Sequence, residues 1–183
     1  MSTILIIGAG PNIGLATAMI FASAGYQVAI ASRTKTSDSY KHFFFDASKP
    51  ETVPQLFAEI RKEFGDPKVV VYNAVDFGEA DNEVFFNLAY SRTATPENPF
   101  SLTLEEYAHD TNINATSVYA AAKEAVEGFS KTGPGSTFIF TGNKLNVAGF
   151  SHSLVFGMGK SASAHLIRAA NNSFEGKGYN VVL

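Results

Sequence analysis

The residues of this chain best suited to chemistry begin at Gly8-Ala9-Gly10-Pro11-Asn12-Ile13-Gly14, a glycine cluster between a short β-branched run and a helical pattern. A glycine-rich turn at such a junction exposes backbone N–H groups at the positive end of a helix, where a pyrophosphate is stabilised. Gly8 permits the tight turn, Gly10 lets the backbone approach the phosphates, and Gly14 lets the helix pack closely on the sheet. Asn12 and Ile13 belong to the same loop. The spacing is Gly-x-Gly-x-x-x-Gly, one residue longer than the commonest dinucleotide fingerprint; the plain alternative is a turn that only needs small residues. At the end of the second strand the chain reads Ala31-Ser32-Arg33-Thr34, with no carboxylate to hold a ribose 2′-OH. Ser32, Arg33 and Thr34 instead suit a 2′-phosphate, Arg33 through charge-assisted hydrogen bonds, which predicts NADP(H) as the cofactor. A solvated surface arginine is the alternative there.

These residues need a scaffold, and the hydrophobic pattern supplies one. Thr3–Ile7, Gln27–Ala31, His42–Phe45, Lys68–Tyr72, Ser136–Thr141 and Tyr179–Leu183 read as six strands. Between them, Ile13–Ala24 reads as a helix with Ile13, Ala16, Ile20, Phe21 and Ala24 on one face. Pro50–Phe64 has a stripe of Val53, Leu56, Phe57, Ile60 and Phe64; Thr103–Phe129 and Leu154–Phe174 are further helices. Strands apolar on both faces, alternating with helices, predict an α/β fold: a Rossmann-type, doubly wound parallel sheet of about six strands in a three-layer sandwich. The 183 residues form one dinucleotide-binding domain, with 45% hydrophobic residues to build its core. A formal net charge of −3 offers no footprint for nucleic acid or an anionic membrane surface, and no apolar run reaches the length of a membrane span. There is no cysteine, and the four histidines (His42, His109, His152, His165) have no metal-type pairing. A cytoplasmic location is expected. The stretch from Asp76 to Ser101 is irregular, with one helical piece near Glu83–Ala89.

Taken in order, several positions resemble the short-chain dehydrogenase/reductase family over nearly the whole chain. Gly8, Gly10 and Gly14 resemble its phosphate loop, with Asn12 where the family usually has its middle glycine. Asp46 resembles its adenine-contacting aspartate, and Tyr72-Asn73-Ala74-Val75 its Asn-Asn-Ala-Gly motif, changed at two of the four positions. Thr111-Asn112-Ile113 resembles the segment whose asparagine holds a water in the family's proton relay. Lys160 resembles the lysine of Tyr-x-x-x-Lys. The resemblance implies that Asn73, Ala74 and Lys160 hold the nicotinamide half of the cofactor. It also implies hydride transfer to or from a small carbonyl or alcohol, and a homodimer or homotetramer formed through Asn112–Phe129 and Leu154–Phe174. Ala115, Ala122 and Ala125 either allow close helix approach in that interface or pack on the sheet.

The chain departs from the pattern where the family does its proton chemistry. Phe156 stands in the place of the tyrosine, and phenylalanine has no proton to give. The serine position falls on Gly142 or Asn143, and Thr141-Gly142-Asn143 resembles a divergent branch that lacks the tyrosine. Asn143 is suited to donate a hydrogen bond to a substrate carbonyl, and Thr141, Ser151, His152 and Ser153 are candidates to deliver a proton. The family continues past its sixth strand into a substrate-binding lid, whereas this sequence ends at Leu183, so an open site or one completed by another subunit is expected. Phe77, Phe85, Phe86 and Tyr90 suit either a substitute wall over the cofactor or a dimer contact. Two readings follow: an NADP(H)-dependent oxidoreductase with an atypical active site, or a catalytically inactive NADPH-binding sensor or partner-binding protein.

Overall fold

The computed structural model describes residues 1–73 and 98–183; Ala74, Val75 and the aromatic residues between Phe77 and Tyr90 lie outside the described residues. In chain order the elements are β1 (Thr3–Ile7), α1 (Ile13–Ser23), β2 (Gln27–Ser32), β3 (Lys41–Phe44), α2 (Val53–Phe64), β4 (Val69–Tyr72), α3 (Leu104–Thr111), α4 (Ser117–Thr132), β5 (Thr137–Phe140), α5 (Leu154–Phe174) and β6 (Asn180–Val182). Among the described residues the five strand pairs are all parallel and the order is β3-β2-β1-β4-β5-β6. The order reverses between β1 and β4. At such a switch point the loops leaving the strand ends diverge to opposite sides and open a crevice. The doubly wound parallel sheet expected from the sequence is therefore present.

The sheet is buried on both faces, which is why its strands read as continuous apolar runs. Leu5, Ile7, Ala29, Val70, Tyr72 and Phe138 face α2, α4 and α5 in the larger core cluster. Ile4, Ile6, Val28, Ile30 and Val71 face α1 through Ala18. The stripe expected on α2 is buried, with Phe64 at its edge. Ala122 and Ala125 pack into the sheet-side core, which resolves their alternative in favour of the sheet.

Two helices differ from their expected form. On α1 the buried residues are Gly14 and Ala18, while Ile13 is 57% and Ile20 is 66% exposed. Where α1 comes closest to the sheet only small side chains fit, so Ile13 and Ile20 turn outward against the apolar spacing, while Phe21 packs against the edge of the core as expected. The single helix expected over Thr103–Phe129 is instead interrupted by a π turn at Asn112–Thr116. That stretch, Asn-Ile-Asn-Ala-Thr, is poor in strong helix formers. The Ile113 carbonyl also accepts a 2.7 Å hydrogen bond from the hydroxyl of the fully buried Tyr72 on β4. The start of α3 is legible in sequence, since Thr103 and Glu106 form a reciprocal capping box.

Candidate functional site

The turn after β1 is built as its residue types require. Gly8 has φ of 82°, a conformation that costs other residues a Cβ clash. Its N–H donates to the Ala31 carbonyl at 2.8 Å, and its carbonyl accepts the Asn73 side-chain amide at 3.1 Å. Asn73 is itself held by its N–H to the Ile7 carbonyl at 2.7 Å. The two strand ends at the switch point are thus tied together. Asn12 precedes α1 without any side-chain cap hydrogen bond; the Leu15 N–H donates to the Gly10 carbonyl at 3.1 Å, and the N–H groups of Ile13 and Gly14 at the helix start carry the positive partial charge that attracts an anion. A Cβ on Gly10 would meet nothing within 4 Å, while one on Gly14 would lie 2.5 Å from the Ala9 Cα. Gly10 therefore leaves bare backbone beside open space, and Gly14 is demanded by packing. Gly14→Ala is expected to destabilise the fold by about 1–3 kcal/mol, the usual range for overpacking. A urea midpoint lowered at unchanged slope measures it.

A cleft of about 500 Å³ runs across these strand ends. Gly8, Gly10, Asn12 and Ile13 form its middle. At the β2–β3 end it is lined by Ser32, Arg33, Thr34 and Asp46. That end is ordered by its own hydrogen bonds. Ser32 Oγ donates to the Thr34 carbonyl at 2.7 Å and meets His42 Nε2 at 3.2 Å, and Thr36 Oγ1 donates to the Ala9 carbonyl at 2.7 Å. Asp46 Oδ1 accepts from the Ser48 N–H and hydroxyl at 3.0 and 2.8 Å. The donor-rich backbone in the middle fits the diphosphate of a dinucleotide.

The other end is lined by Asn73, Thr141, Asn143, Phe156 and Lys160. Lys160, only 3% exposed, donates from Nζ to the Thr141 carbonyl at 3.1 Å. Nζ lies 4.6 Å from the centre of the Phe140 ring and 5.4 Å from that of Phe156, which is 2% exposed. Burial pushes the ammonium down to about 8, against the opposing charge of Asp110. Asn143 Oδ1 accepts the Leu145 N–H at 2.9 Å. With its oxygen so engaged, the side chain of Asn143 has its NH₂ left as the group to offer the cleft.

Two of the expected cofactor and relay residues, Gly14 and Asn112, do not line the cleft. Gly14 acts from behind, through packing. Asn112 donates its side-chain amide to the Ser48 carbonyl at 3.0 Å. The asparagine beside the Lys160 helix is Asn114, two positions later: a Cβ on Gly159 would lie 2.7 Å from the Asn114 Cβ, and Ser163 Oγ donates to the Asn114 carbonyl at 2.6 Å. Its side-chain amide donates back to Asp110, and its buried Oδ1 has no hydrogen-bond partner. The π turn sets which asparagine faces α5, and sequence spacing carries no signal for it. Of the candidate proton donors only Thr141 lines the cleft; Ser151, His152 and Ser153 are not among its lining residues. Ile113 and Thr36, which sequence reasoning passed over, do line it.

A protein-family model described as short chain dehydrogenase matches residues 2–182. The short chain dehydrogenase/reductase dmxR12 of Cryptosporiopsis sp. is 38% identical over 181 residues, covering 96% of this chain and 72% of that protein. Among solved structures, the short-chain dehydrogenase/reductase of Serratia marcescens superposes with a TM-score of 0.75 at 21% identity, over 98% of this chain and 75% of that one. A 4-hydroxyisoleucine dehydrogenase complexed with NADH gives 0.80 at 15% identity, over 99% and 73%. An alcohol dehydrogenase from Thermococcus sibiricus complexed with 5-hydroxy-NADP gives 0.73 at 22% identity, over 94% and 71%. At these identities the structures speak to the fold alone. The family rests on the match that runs from residue 2 to residue 182 and on the 38% identity of one member: this chain belongs to the short-chain dehydrogenase/reductase family, oxidoreductases that bind nicotinamide cofactors.

Proposed function

We propose that this chain is an NADP(H)-dependent oxidoreductase acting on a small carbonyl or alcohol, with an atypical active site in which Phe156 occupies the place of the family's tyrosine. The observation that carries this reading is the pairing of Arg33 at one end of the cleft with the buried Lys160 at the other, on either side of an uncapped glycine loop. A dinucleotide bound there supplies hydride. The protein's own part is positional and electrostatic. The loop N–H groups hold the diphosphate, and Ser32, Arg33 and Thr34 receive the 2′-phosphate. Asp46 and Asn73 border the adenosine and nicotinamide halves; Ala74, assigned to the cofactor with Asn73, lies outside the described residues. Lys160 reaches the nicotinamide ribose hydroxyls, and Asn143 or Thr141 polarises the substrate carbonyl.

Calorimetric titration with NADPH and with NADH tests the cofactor half of the proposal. The chain has no tryptophan, so energy transfer from indole to nicotinamide offers no signal. Tight NADPH binding with weak NADH binding is expected. Arg33→Ala removes one charged hydrogen-bonding partner, worth about 1.5–3 kcal/mol, and should weaken NADPH binding by about 10- to 100-fold while leaving NADH binding within twofold. Equal losses for both cofactors would refute the 2′-phosphate role. The hydrocarbon ring of Phe156 favours a second reading, an NADPH-binding protein without turnover. The two part on one result: only the first yields NADPH oxidation that depends on a carbonyl. A homodimer or homotetramer through the outer faces of α4 and α5 belongs to the first reading, supported by the exposed Tyr119 and Met158.

A further inference from the structure

Three ionisable groups line the cleft among the described residues, and two of them, Arg33 and Asp46, stand at the β2–β3 end. The third, Lys160, is the one ionisable side chain at the end where Thr141, Asn143 and Phe156 meet. Its ammonium carries three N–H bonds, one of which goes to the Thr141 carbonyl. The rings of Phe140 and Phe156 wall it without offering a proton acceptor. Two N–H bonds are left for groups that enter the cleft, one for a ribose hydroxyl and one for a substrate oxygen.

We propose that Lys160 is itself the catalytic proton donor of this active site, in addition to holding the cofactor ribose. The proposal rests on the reading of the chain as an NADP(H)-dependent oxidoreductase. In the reducing direction, hydride from NADPH forms the new C–H bond at the carbonyl carbon. The C=O π bond breaks toward oxygen, and that oxygen forms its O–H bond with a proton from Lys160 Nζ. The products are the alcohol, NADP⁺ and a neutral Lys160 amine, which takes a proton from water before the next turnover.

The surroundings suit this role. Desolvation among the two rings weakens the hold on the proton and brings the ammonium to about 8, below the ordinary range of a phenol and closer to neutral pH, where an acid catalyst is most effective. Asp110 on α3 faces it and opposes that shift. Tyr72 on β4 stays a neutral phenol, because burial pushes it far upward and its hydroxyl is committed to the Ile113 carbonyl. β5 presents the Thr141 carbonyl and the Phe140 ring. On either side of Lys160 along the chain, the nearest titratable residues are His152 before α5 and His165 within it.

The test has a ligand-free arm and a catalytic arm. In the free protein labelled with ¹³Cε-lysine, the Lys160 resonance, identified by its loss in Lys160→Met, should titrate with a midpoint near 8. A midpoint at the ordinary lysine value overturns the proposal. In the catalytic arm, NADPH oxidation is followed with a panel of aliphatic and aromatic aldehydes and ketones from about pH 6 to 10. The rate should be level below the midpoint and fall about tenfold per pH unit above it, while NADPH affinity falls far less. Lys160→Arg keeps a cation and N–H donors for the ribose, but guanidinium does not give up its proton in a protein. It should bind NADPH within about tenfold of the parent and lose at least about 10²-fold in rate. A Lys160→Arg enzyme with near-parental rate, or a rate that is flat across pH, overturns the proposal and leaves the oxidoreductase reading standing. A parent protein that binds NADPH but oxidises it with no carbonyl overturns both.

Discussion

Phe156→Tyr is expected to raise carbonyl-dependent NADPH oxidation by about 10²-fold, near the lower end of what a positioned acid contributes. The ring already borders the cleft one helical turn before Lys160, and Lys160 Nζ lies 5.4 Å from its centre. A phenol in that place gains a hydroxyl able to protonate the substrate oxygen, and the neighbouring cation lowers its pKa. The gain stays near the lower end because Lys160 already supplies a proton in the parent site. Steady-state kcat and KM for the parent and variant on the same aldehyde measure it; the gain should fall in kcat, with NADPH affinity unchanged. A variant that binds NADPH and gains nothing would show that the ring is not directed at the reacting carbonyl, and would remove Phe156 from the site.

Lys160→Met should stabilise the protein at neutral pH while weakening its hold on the cofactor. Lowering an ammonium from 10.5 to about 8 means that the fold penalises the charged form by roughly 3 kcal/mol, at 1.36 kcal/mol per unit. In the unfolded chain the amine stays protonated up to 10.5, while in the fold it releases its proton near 8. Between those values the unfolded chain binds more protons, so stability rises with pH across that window. The penalty is complete below about pH 8 and relieved above 10.5. Methionine has similar length and no charge to desolvate. The gain is expected to be about 1–3 kcal/mol at pH 7, the lower figure because Asp110 loses the cation facing it. Urea unfolding at pH 7 and at about pH 9.5 decides the matter. The variant should be more stable than the parent at pH 7 and close to it at the higher pH. A variant less stable at both would mean that the contacts of Nζ with Thr141 and the two rings outweigh its desolvation.

The retention of a buried lysine at such a cost has a physical reason in the site. An ammonium in an apolar end wall is destabilising for the fold, but its interactions with an incoming hydroxyl or carbonyl are stronger there than in water. Stability is lower than a methionine would allow, and the cleft gains its one ionisable group at that end among the described residues.

Much of this was legible along the chain, because it depends on local chemistry. The alternation of apolar runs with helical patterns implied a parallel sheet. The glycines at 8, 10 and 14 implied a phosphate turn; Gly8 stands at a positive φ and Gly14 where a Cβ would run into Ala9, whereas a Cβ on Gly10 would meet only open space. Ser32, Arg33, Thr34, Asp46, Asn73, Thr141, Asn143, Phe156 and Lys160 all line one cleft, since each sits at or just beyond the carboxyl end of a strand, or near the start of α5. What needed the tertiary structure was decided by packing between distant elements. The outward turn of Ile13 and Ile20 follows from how closely α1 approaches the sheet. The π turn, which brings Asn114 rather than Asn112 beside α5, forms where the hydroxyl of Tyr72 on β4 meets the Ile113 carbonyl, a contact between residues 41 positions apart that no local pattern encodes. The acidity of Lys160 is of the same kind: the sequence specifies an amine, and only its burial between Phe140 and Phe156 makes it a group that can release its proton near neutral pH.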